Sequence, residues 1–302
     1  MSSFSTRLNK ALHNPMIVVN KLISTKVGRL LPKPAYLKLK FRYYMGYSLN
    51  LKHPVTYNEK LQWLKLHDCK PEYAKLVDKY EVRKYIAERI GEERLIPLLG
   101  VWNSFDEIDF STLPDQFVLK PTHTSGDIFI CKDKSAIDRA ALKRMVDGWM
   151  RREYYWLFRE APYRYIRPRI IAEKFMVDES GTELKDYKFF CFDGEPKALF
   201  VATDRPFDTR FDFFDMDFNH LPFLNGHPHA VKPIKRPAGF DEMRRIACEL
   251  SKGFLHVRVD LYDINEKIYF GELTFYHFSG IVPFEPEAWD RVFGDWIKLP
   301  VP

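Results

Sequence analysis

The chain has 302 residues, a net charge of +6, and 46% hydrophobic and 29% charged residues. Its 16% aromatic content excludes a disordered chain, because such chains lack the large apolar side chains of a packed core. No run approaches the roughly 18 apolar residues of a membrane-spanning helix, and we expect no secretory signal at the polar N-terminus. The four cysteines are scattered without a CxxC pair, which indicates reduced, packed thiols in a cytoplasmic protein.

Positive charge is concentrated in the first 70 residues, which contain 13 Lys and Arg and only two acids. Residues 15–47 of this basic head mix cationic side chains with apolar and aromatic ones. Such a segment can bind an anionic membrane surface or a lipid-linked substrate, or it can simply pack on the body of the protein. Nucleic acid is a further partner class, which we do not expect because no recognised nucleic-acid-binding module accompanies the head.

The first half of the chain has helical patterns. Pro54 precedes a new helical region, and the pair Thr56 and Glu59 has the spacing of a capping box, in which both residues satisfy free backbone N–H groups. Apolar residues at helical spacing continue through residues 71–90, and Gly91 ends this pattern.

Beyond residue 95 the sequence changes to short runs rich in β-branched and aromatic residues. Helical patterns interrupt these runs at residues 135–158 and 240–252. Strands with only two helical interruptions predict an α+β body rather than a strictly alternating doubly wound sheet.

A first group of candidate functional residues lies in residues 117–132. An apolar run delivers Lys120, a turn containing Ser125 and Gly126 follows, and a second strand returns. Such a hairpin can cover a polyphosphate, because the N–H groups of the turn and the lysine ammonium attract negative charge. Taken alone, the pattern is more typical of a solvated lysine before a turn.

A second group follows the apolar run in residues 169–181. That run ends in Glu173 and leads into an acidic turn with Asp178 and Glu179. A strand edge here could offer backbone groups to an adenine, and an acid of the turn could bind ribose hydroxyls. Acidic turns with glycine are common, so a purely structural turn is the alternative.

Lys188 lies within an aromatic run at residues 186–194. In a strand it faces opposite to its neighbours Tyr187 and Phe189. A lysine in that position needs a partner, either a carboxylate or a phosphate.

The densest pattern combines two runs near the C-terminus. Arg258 and Asp260 share one face of a strand, and Glu272 and Thr274 share one face of the next, which predicts an antiparallel hairpin with the two acids on neighbouring strands. Neighbouring carboxylates repel unless a cation lies between them, and hard oxygen ligands favour Mg²⁺ or Mn²⁺. Arg258 could bind a phosphate oxygen. A structural network of the arginine and the acids is the alternative.

In order along the chain, these motifs read VLKP, AEKF, DYKF, VRVD and GELTF. This order resembles the ATP-grasp superfamily, and more closely the TupA-like (teichuronopeptide biosynthesis type) proteins of bacterial surface-polysaccharide gene clusters. The resemblance extends from Tyr57 to Pro300. It implies an α+β, ATP-grasp fold in which two α+β subdomains grip a nucleotide, preceded by a basic helical N-terminal segment. The implied parts are a basic extension (1–55), a helical region (56–116), a nucleotide-lid subdomain (117–180) and a C-terminal subdomain with the metal site (181–302).

The resemblance also implies a role for each group. ATP would be bound by Lys120, Ser125, Gly126, Glu173, Lys174, Phe175 and Asp178, with Lys79 as a further candidate. Among these, Lys120 would contact the α- and β-phosphates and Lys174 and Phe175 the adenine, with Asp178 or Glu179 near the ribose. Lys188 and Arg258 would be catalytic, holding the transferred phosphate. The metal, Mg²⁺ or Mn²⁺, would be bound by Asp260, Glu272 and Thr274.

Two positions depart from the family pattern. The loop HTSGD has one glycine where the family usually has several. Thr274 stands where many ATP-grasp ligases have an asparagine, which is a better metal ligand.

The implied reaction joins a carboxylate to an amine through an acyl phosphate, on a cell-surface polysaccharide precursor such as a uronic acid that receives an amino acid. Arg205 and Arg210, in a charged loop, could bind an anionic acceptor, which is a small-molecule or lipid-linked saccharide. Two alternatives remain open: a glycosyltransferase or phosphotransferase that uses the same nucleotide cleft, and a non-catalytic nucleotide-binding scaffold. We expect a cytoplasmic protein with a peripheral site at the inner face of the membrane.

Overall fold

A computed structural model describes residues 15–178, 184–204 and 208–300. The chain divides into two compact units. The first comprises residues 1–69, 155–161 and 276–302, and the second comprises residues 70–154 and 162–275. The finer division into four parts stays a prediction.

The described residues form nine α-helices and twelve strands, with short 3₁₀ turns between them. The helices are α1 (Pro15–Ile23), α2 (Lys33–Met45), α3 (Tyr57–His67), α4 (Tyr73–Val77), α5 (Val82–Ile90), α6 (Arg139–Met150), α7 (Tyr155–Phe158), α8 (Phe240–Ser251) and α9 (Ala288–Trp296). The strands are β1 (Leu98–Trp102), β2 (Phe117–Pro121), β3 (Phe129–Cys131), β4 (Ile170–Lys174), β5 (Asp186–Phe192), β6 (Glu195–Thr203), β7 (Arg210–Phe214), β8 (His220–Leu221), β9 (Leu224–Asn225), β10 (His256–Ile264), β11 (Lys267–Thr274) and β12 (Phe284–Glu285).

The first unit is mainly helical and contains α1, α2, α3, α7 and α9. The capping box predicted at the start of α3 is confirmed: the Thr56 hydroxyl accepts a hydrogen bond from the Glu59 N–H, and the Glu59 carboxylate accepts one from the Thr56 N–H, both at 3.3 Å. The same carboxylate accepts the Val55 N–H at 2.9 Å, so it fixes the chain that enters the helix. In the segments that the structure describes, no helix combines the length and the apolarity needed to cross a bilayer.

The second unit contains a four-stranded antiparallel sheet in the order β1-β4-β2-β3. Helix α6 covers one of its faces, because Leu142, Val146 and Trp149 form one apolar core with residues of β2 and β4. Their spacing of three and four positions places them on one side of the helix. The opposite face of β2 and β4 is left for polar side chains, among them Lys120 and Glu173.

A six-stranded antiparallel sheet in the order β11-β10-β5-β6-β7-β8 is the larger part of this unit. Its first face is covered by α8, whose Phe240 ring lies 6.0 Å from Phe189 of β5. Its second face carries aromatic side chains of the middle strands together with charged side chains of β5, β10 and β11. The α+β class predicted from the sequence is confirmed.

The capping box gives a first prediction. We expect Thr56→Ala to lower the free energy of unfolding by about 1 kcal/mol relative to Thr56→Ser, because only the alanine removes the hydroxyl that caps α3. Chemical denaturation of both variants measures the difference. Equal stability of the two variants would contradict a capping role for this hydroxyl.

Candidate functional site

The candidate site is built around Asp260, in the middle of β10. This strand pairs on one side with β11, where Glu272 lies opposite Asp260, and on the other side with β5, where Lys188 lies opposite Asp260. The hairpin predicted from the sequence is therefore confirmed, with the two acids directly opposed. Paired residues of neighbouring strands project to the same face, so all three side chains converge.

A β-bulge lies beside this residue. The pairing register shifts between Asp260 and Leu261, which leaves Gly271 as the extra residue on β11. A Cβ atom at position 271 would lie 3.0 Å from the carbonyl oxygen of Asp260. Glycine thus allows the two backbones to approach closely next to the paired acids.

Arg258 connects the acids of the hairpin. Its Nε and Nη2 donate to the two carboxylate oxygens of Asp260, each at 2.7 Å, and Nη2 also donates to Glu272 Oε1 at 3.2 Å and to the Thr274 hydroxyl at 3.1 Å. The Asp260 side chain is 1% exposed, so this bidentate pairing neutralises a carboxylate that has almost no access to water.

Lys188 completes the group from β5. Its ammonium contacts Asp260 and lies 2.9 Å from Asp186 Oδ2. The expectation that Lys188 needs an anionic partner is met by these two carboxylates. Asp186 was missed, although its position two residues before Lys188 puts both on one face of the strand and could have identified it.

We call Asp186, Lys188, Arg258, Asp260 and Glu272 the strand cluster. It contains three carboxylates and two cations. Glu272 is its most accessible member, with a side chain that is 37% exposed. Its Oε2 atom makes no hydrogen bond or ion pair with the residues that the structure describes. An oxygen ligand is therefore available at this end of the cluster.

The charges of the cluster stabilise one another. Burial disfavours the ionised form of Glu272, but the cations of Lys188, Arg258 and Lys79 outweigh burial and hold its pKa below the ordinary value. Burial likewise disfavours the Lys188 ammonium, but Asp186 and Asp260 raise the pKa of Lys188 above its ordinary value. Both groups are therefore charged at neutral pH.

A second pair of opposite charges lies on the four-stranded sheet. Lys120 of β2 lies 2.7 Å from Glu173 Oε2 of β4, and Arg83 of α5 lies 3.5 Å from Glu173 Oε1. The sequence pointed to Lys120 and Glu173 as ATP-binding candidates, which stays a prediction, and it indicated neither this ion pair nor the participation of Arg83. Ser125 and Gly126 lie exposed in the turn after β2, and Gly126 has a φ of 82°, which favours glycine.

Lys79 links these two groups. It donates a hydrogen bond to the Thr124 carbonyl in the turn after β2. Burial lowers the pKa of Lys79, the negative charge of Glu272 raises it, and the positive charge of Lys120 lowers it. Charged groups of both sheets therefore influence the pKa of Lys79.

The segment predicted to contact adenine lies at the end of β4. Lys174 and Phe175 line an open cavity of about 830 Å³, together with Leu99, Pro114, Asp115, Gln116, Lys132 and Asp133. Asp178, predicted to bind ribose, is buried, and its Oδ2 lies 3.1 Å from the Lys185 ammonium. Ribose binding by Asp178 would thus have to replace an existing ion pair.

Of the two predicted acceptor residues, Arg210 is not brought to the strand cluster. Arg205 lies outside the described residues. Arg210 pairs with Thr203, which is three positions from Phe200, the partner of Lys188. Since side chains alternate between the faces of a sheet, Arg210 and Lys188 project to opposite faces. A role for the two arginines in acceptor binding stays a prediction, and the placement of Arg210 does not support it.

Comparisons with solved structures give low similarities. The chain is 17% identical to D-alanine–D-alanine ligase from Bacillus anthracis complexed with ATP, over 66% of this chain and 54% of that one, with a TM-score of 0.41. It is 10% identical to the ATP-grasp ligase PsnB complexed with a minimal precursor, over 80% of this chain and 63% of that one, with a TM-score of 0.41. It is 11% identical to a RimK domain protein ATP-grasp from Sphaerobacter thermophilus DSM 20745, over 74% of this chain and 67% of that one, with a TM-score of 0.39. A comparison with curated sequences finds no match.

The chain spans between about half and two thirds of the length of these solved structures. The sequence model of one family, described as TupA-like ATPgrasp, matches residues 59–298, which is well over half of the chain. The match confirms the ATP-grasp fold. The chain belongs to the TupA-like ATPgrasp family.

Proposed function

We propose that this protein is an ATP-dependent ligase that activates a carboxylate as an acyl phosphate and joins it to an amine on a cell-surface polysaccharide precursor. The observation that carries the proposal is the strand cluster, in which Arg258 and Lys188 lie beside two directly opposed acids. Family membership supports ATP as the phosphoryl donor.

The cluster fits a divalent metal ion. Asp260 and Glu272 offer hard carboxylate oxygens, which Mg²⁺ prefers, and the Thr274 hydroxyl lies 3.4 Å from Glu272 Oε1. We propose that Asp260 and Glu272 hold Mg²⁺. A bound Mg²⁺ would neutralise charge on the phosphate groups of ATP and on the phosphoryl group in transfer.

Both oxygens of Asp260 are already engaged by Arg258 and Lys188. We infer that the cations exchange partners when ATP binds: Arg258 and Lys188 turn to the phosphate oxygens, and the carboxylates become available to the metal ion. Lys120 makes the same kind of pair with Glu173, so it can change partners in the same way. Each charge then has an opposite charge beside it in both states, which avoids an isolated buried ion.

The chemistry needs little beyond positioning and charge stabilisation. An oxygen of the substrate carboxylate bonds to the γ-phosphorus, and the bond from that phosphorus to the ADP oxygen breaks. Lys188 and Arg258 stabilise the negative charge of the transferred group. The amine then bonds to the acyl carbon, inorganic phosphate leaves with the electron pair of the broken C–O bond, and the amine releases a proton to solvent.

An activity assay distinguishes this reaction from the alternatives. With Mg²⁺ and ATP, we expect inorganic phosphate to be released only when a carboxylate such as a uronic acid and an amine such as an amino acid are both present. A coupled phosphate assay over a matrix of such pairs measures this, with mass spectrometry of the product. Phosphate found on a hydroxyl of the product would indicate a phosphotransferase, and sugar transfer from a nucleotide sugar would indicate a glycosyltransferase.

The metal assignment predicts the behaviour of Glu272→Gln. We expect this variant to bind Mg²⁺-ATP about tenfold more weakly, which at a fixed ligand excess removes about 1.4 kcal/mol of ligand-induced stabilisation. Thermal unfolding with and without Mg²⁺-ATP measures this loss.

Glu266→Gln is the matched control, since Glu266 is an exposed acid in the turn of the same hairpin. It should retain the full stabilisation. The metal assignment would be wrong if Glu272→Gln also retained it.

We further propose that the first unit contacts an anionic membrane surface. One side of α1 packs into a core with Phe41, but Val18 and Leu22, four positions apart, are more than half exposed, and Leu30 is 85% exposed. Exposed lysines, Lys21 and Lys26, accompany them. Apolar side chains with adjacent cations match the two components of an anionic bilayer surface.

Vesicle binding tests this contact. We expect the protein to sediment with vesicles of phosphatidylglycerol and not with vesicles of phosphatidylcholine, and the double variant Lys21→Glu, Lys26→Glu to bind weakly. The control variant Lys84→Glu, Lys267→Glu changes the net charge equally on exposed sites of the second unit. If both double variants lost vesicle binding equally, net charge alone would explain the binding and the proposed contact through the first unit would be wrong.

A further inference from the structure

Three potential metal ligands meet at the edge of the six-stranded sheet. They are Asp212 of β7, His220 of β8 and His229 of the segment after β9, and one ligand atom of each lies within 4.8 Å of the others. His220 Nε2 lies 3.0 Å from Asp212 Oδ1, and His229 Nδ1 lies 3.3 Å from the same oxygen. We call these residues the edge cluster.

We propose that the edge cluster binds Zn²⁺, with solvent in the remaining coordination position. Bonds of about 2.0–2.2 Å to a tetrahedral zinc ion separate neighbouring ligand atoms by roughly 3.3 Å. The two distances from Asp212 Oδ1 are close to this separation. Two imidazoles and one carboxylate form a donor set typical of zinc, whereas Mg²⁺ favours oxygen ligands alone.

The carboxylate of the cluster is held in place before any ion binds. Asp212 is buried, and its Oδ2 accepts a hydrogen bond of 2.8 Å from the Ala230 N–H, which leaves Oδ1 facing the two imidazoles. A hydrogen bond to the carboxylate oxygen that does not face the ion orients a metal ligand and favours metal binding. The side chains of His220 and His229 are 43% and 33% exposed, so an ion and a water molecule can reach them from solvent.

Both imidazoles of the cluster face the carboxylate of Asp212. Each imidazole lies at hydrogen-bonding distance of Asp212, and His229 Nδ1 is also 3.1 Å from the Phe211 carbonyl oxygen. To bind zinc, each imidazole presents a ring nitrogen without a proton to the ion, and a neutral imidazole then carries its proton on the other ring nitrogen. The ion would join β7, β8 and the segment around His229 at the open edge of the sheet.

This position separates the edge cluster from the strand cluster. Asp212 pairs with Val201 of β6, whereas Phe200 is the residue of β6 that pairs with Lys188. Adjacent residues of a strand project to opposite faces, so Asp212 and Lys188 lie on opposite faces of the sheet. The edge cluster is therefore a site of its own, and it is independent of the proposed ligase reaction.

Zinc titration of the metal-free, full-length chain tests the proposal without nucleotide present. We expect one binding event by calorimetry and a higher midpoint of thermal unfolding. His220→Gln and His229→Gln should each weaken that event at least about tenfold, since even the loss of an outer partner of a ligand costs this much. Co²⁺ supplies a second readout, a visible absorption band that both variants should lose.

Two controls make the result specific. His53→Gln alters an exposed histidine of the first unit, and Glu272→Gln alters the proposed Mg²⁺ site; both should leave the zinc affinity unchanged. Circular dichroism confirms that each variant is folded. Unchanged zinc affinity in the two edge-cluster variants, or a loss of affinity in Glu272→Gln instead, would overturn the proposal.

Discussion

The burial of one carboxylate, that of Asp260, is the constraint on which the rest of the site depends. An ionised carboxylate away from water is costly unless cations and hydrogen bonds surround it. Arg258 supplies two such bonds from the same strand and Lys188 supplies a contact from the next. Lys188 reaches Asp260 because β10 pairs with β5 in this register, and Glu272 lies opposite Asp260 because β10 also pairs with β11. The strand order of the large sheet therefore determines which charged side chains of β5 and β11 lie beside Asp260.

The same principle recurs on the smaller sheet. Lys120 and Glu173 lie on adjacent strands and neutralise each other there. Across the candidate site, cations that could bind phosphate are thus kept beside carboxylates rather than in open solvent. Such pairing holds the side chains in defined positions, and preorganised charge is the main contribution that a protein makes to phosphoryl transfer.

Local periodicity was sufficient to predict the hairpin of Asp260 and Glu272, because residues two apart on a strand share a face and the intervening turn is short. It was also sufficient to predict that Lys188 needs an anion. Contacts between distant elements could not be predicted: Arg83 reaches Glu173 across 90 positions of the chain. The edge cluster was missed for a related reason, since only the pairing of β7 with β8 brings His220 to Asp212. Nor does the sequence alone tell which face Arg210 occupies.

Gly271 shows that burial is a poor guide to which positions can vary. This residue is partly exposed, and exposed positions usually accept many side chains. At position 271, however, the first carbon of any side chain would press on the Asp260 carbonyl oxygen. Any replacement would need the backbone at Asp260 to shift by a few tenths of an ångström, beside the carboxylate whose surroundings organise the site. The range of residues that position 271 accepts is therefore set by the distance to a neighbouring backbone oxygen and not by contact with water.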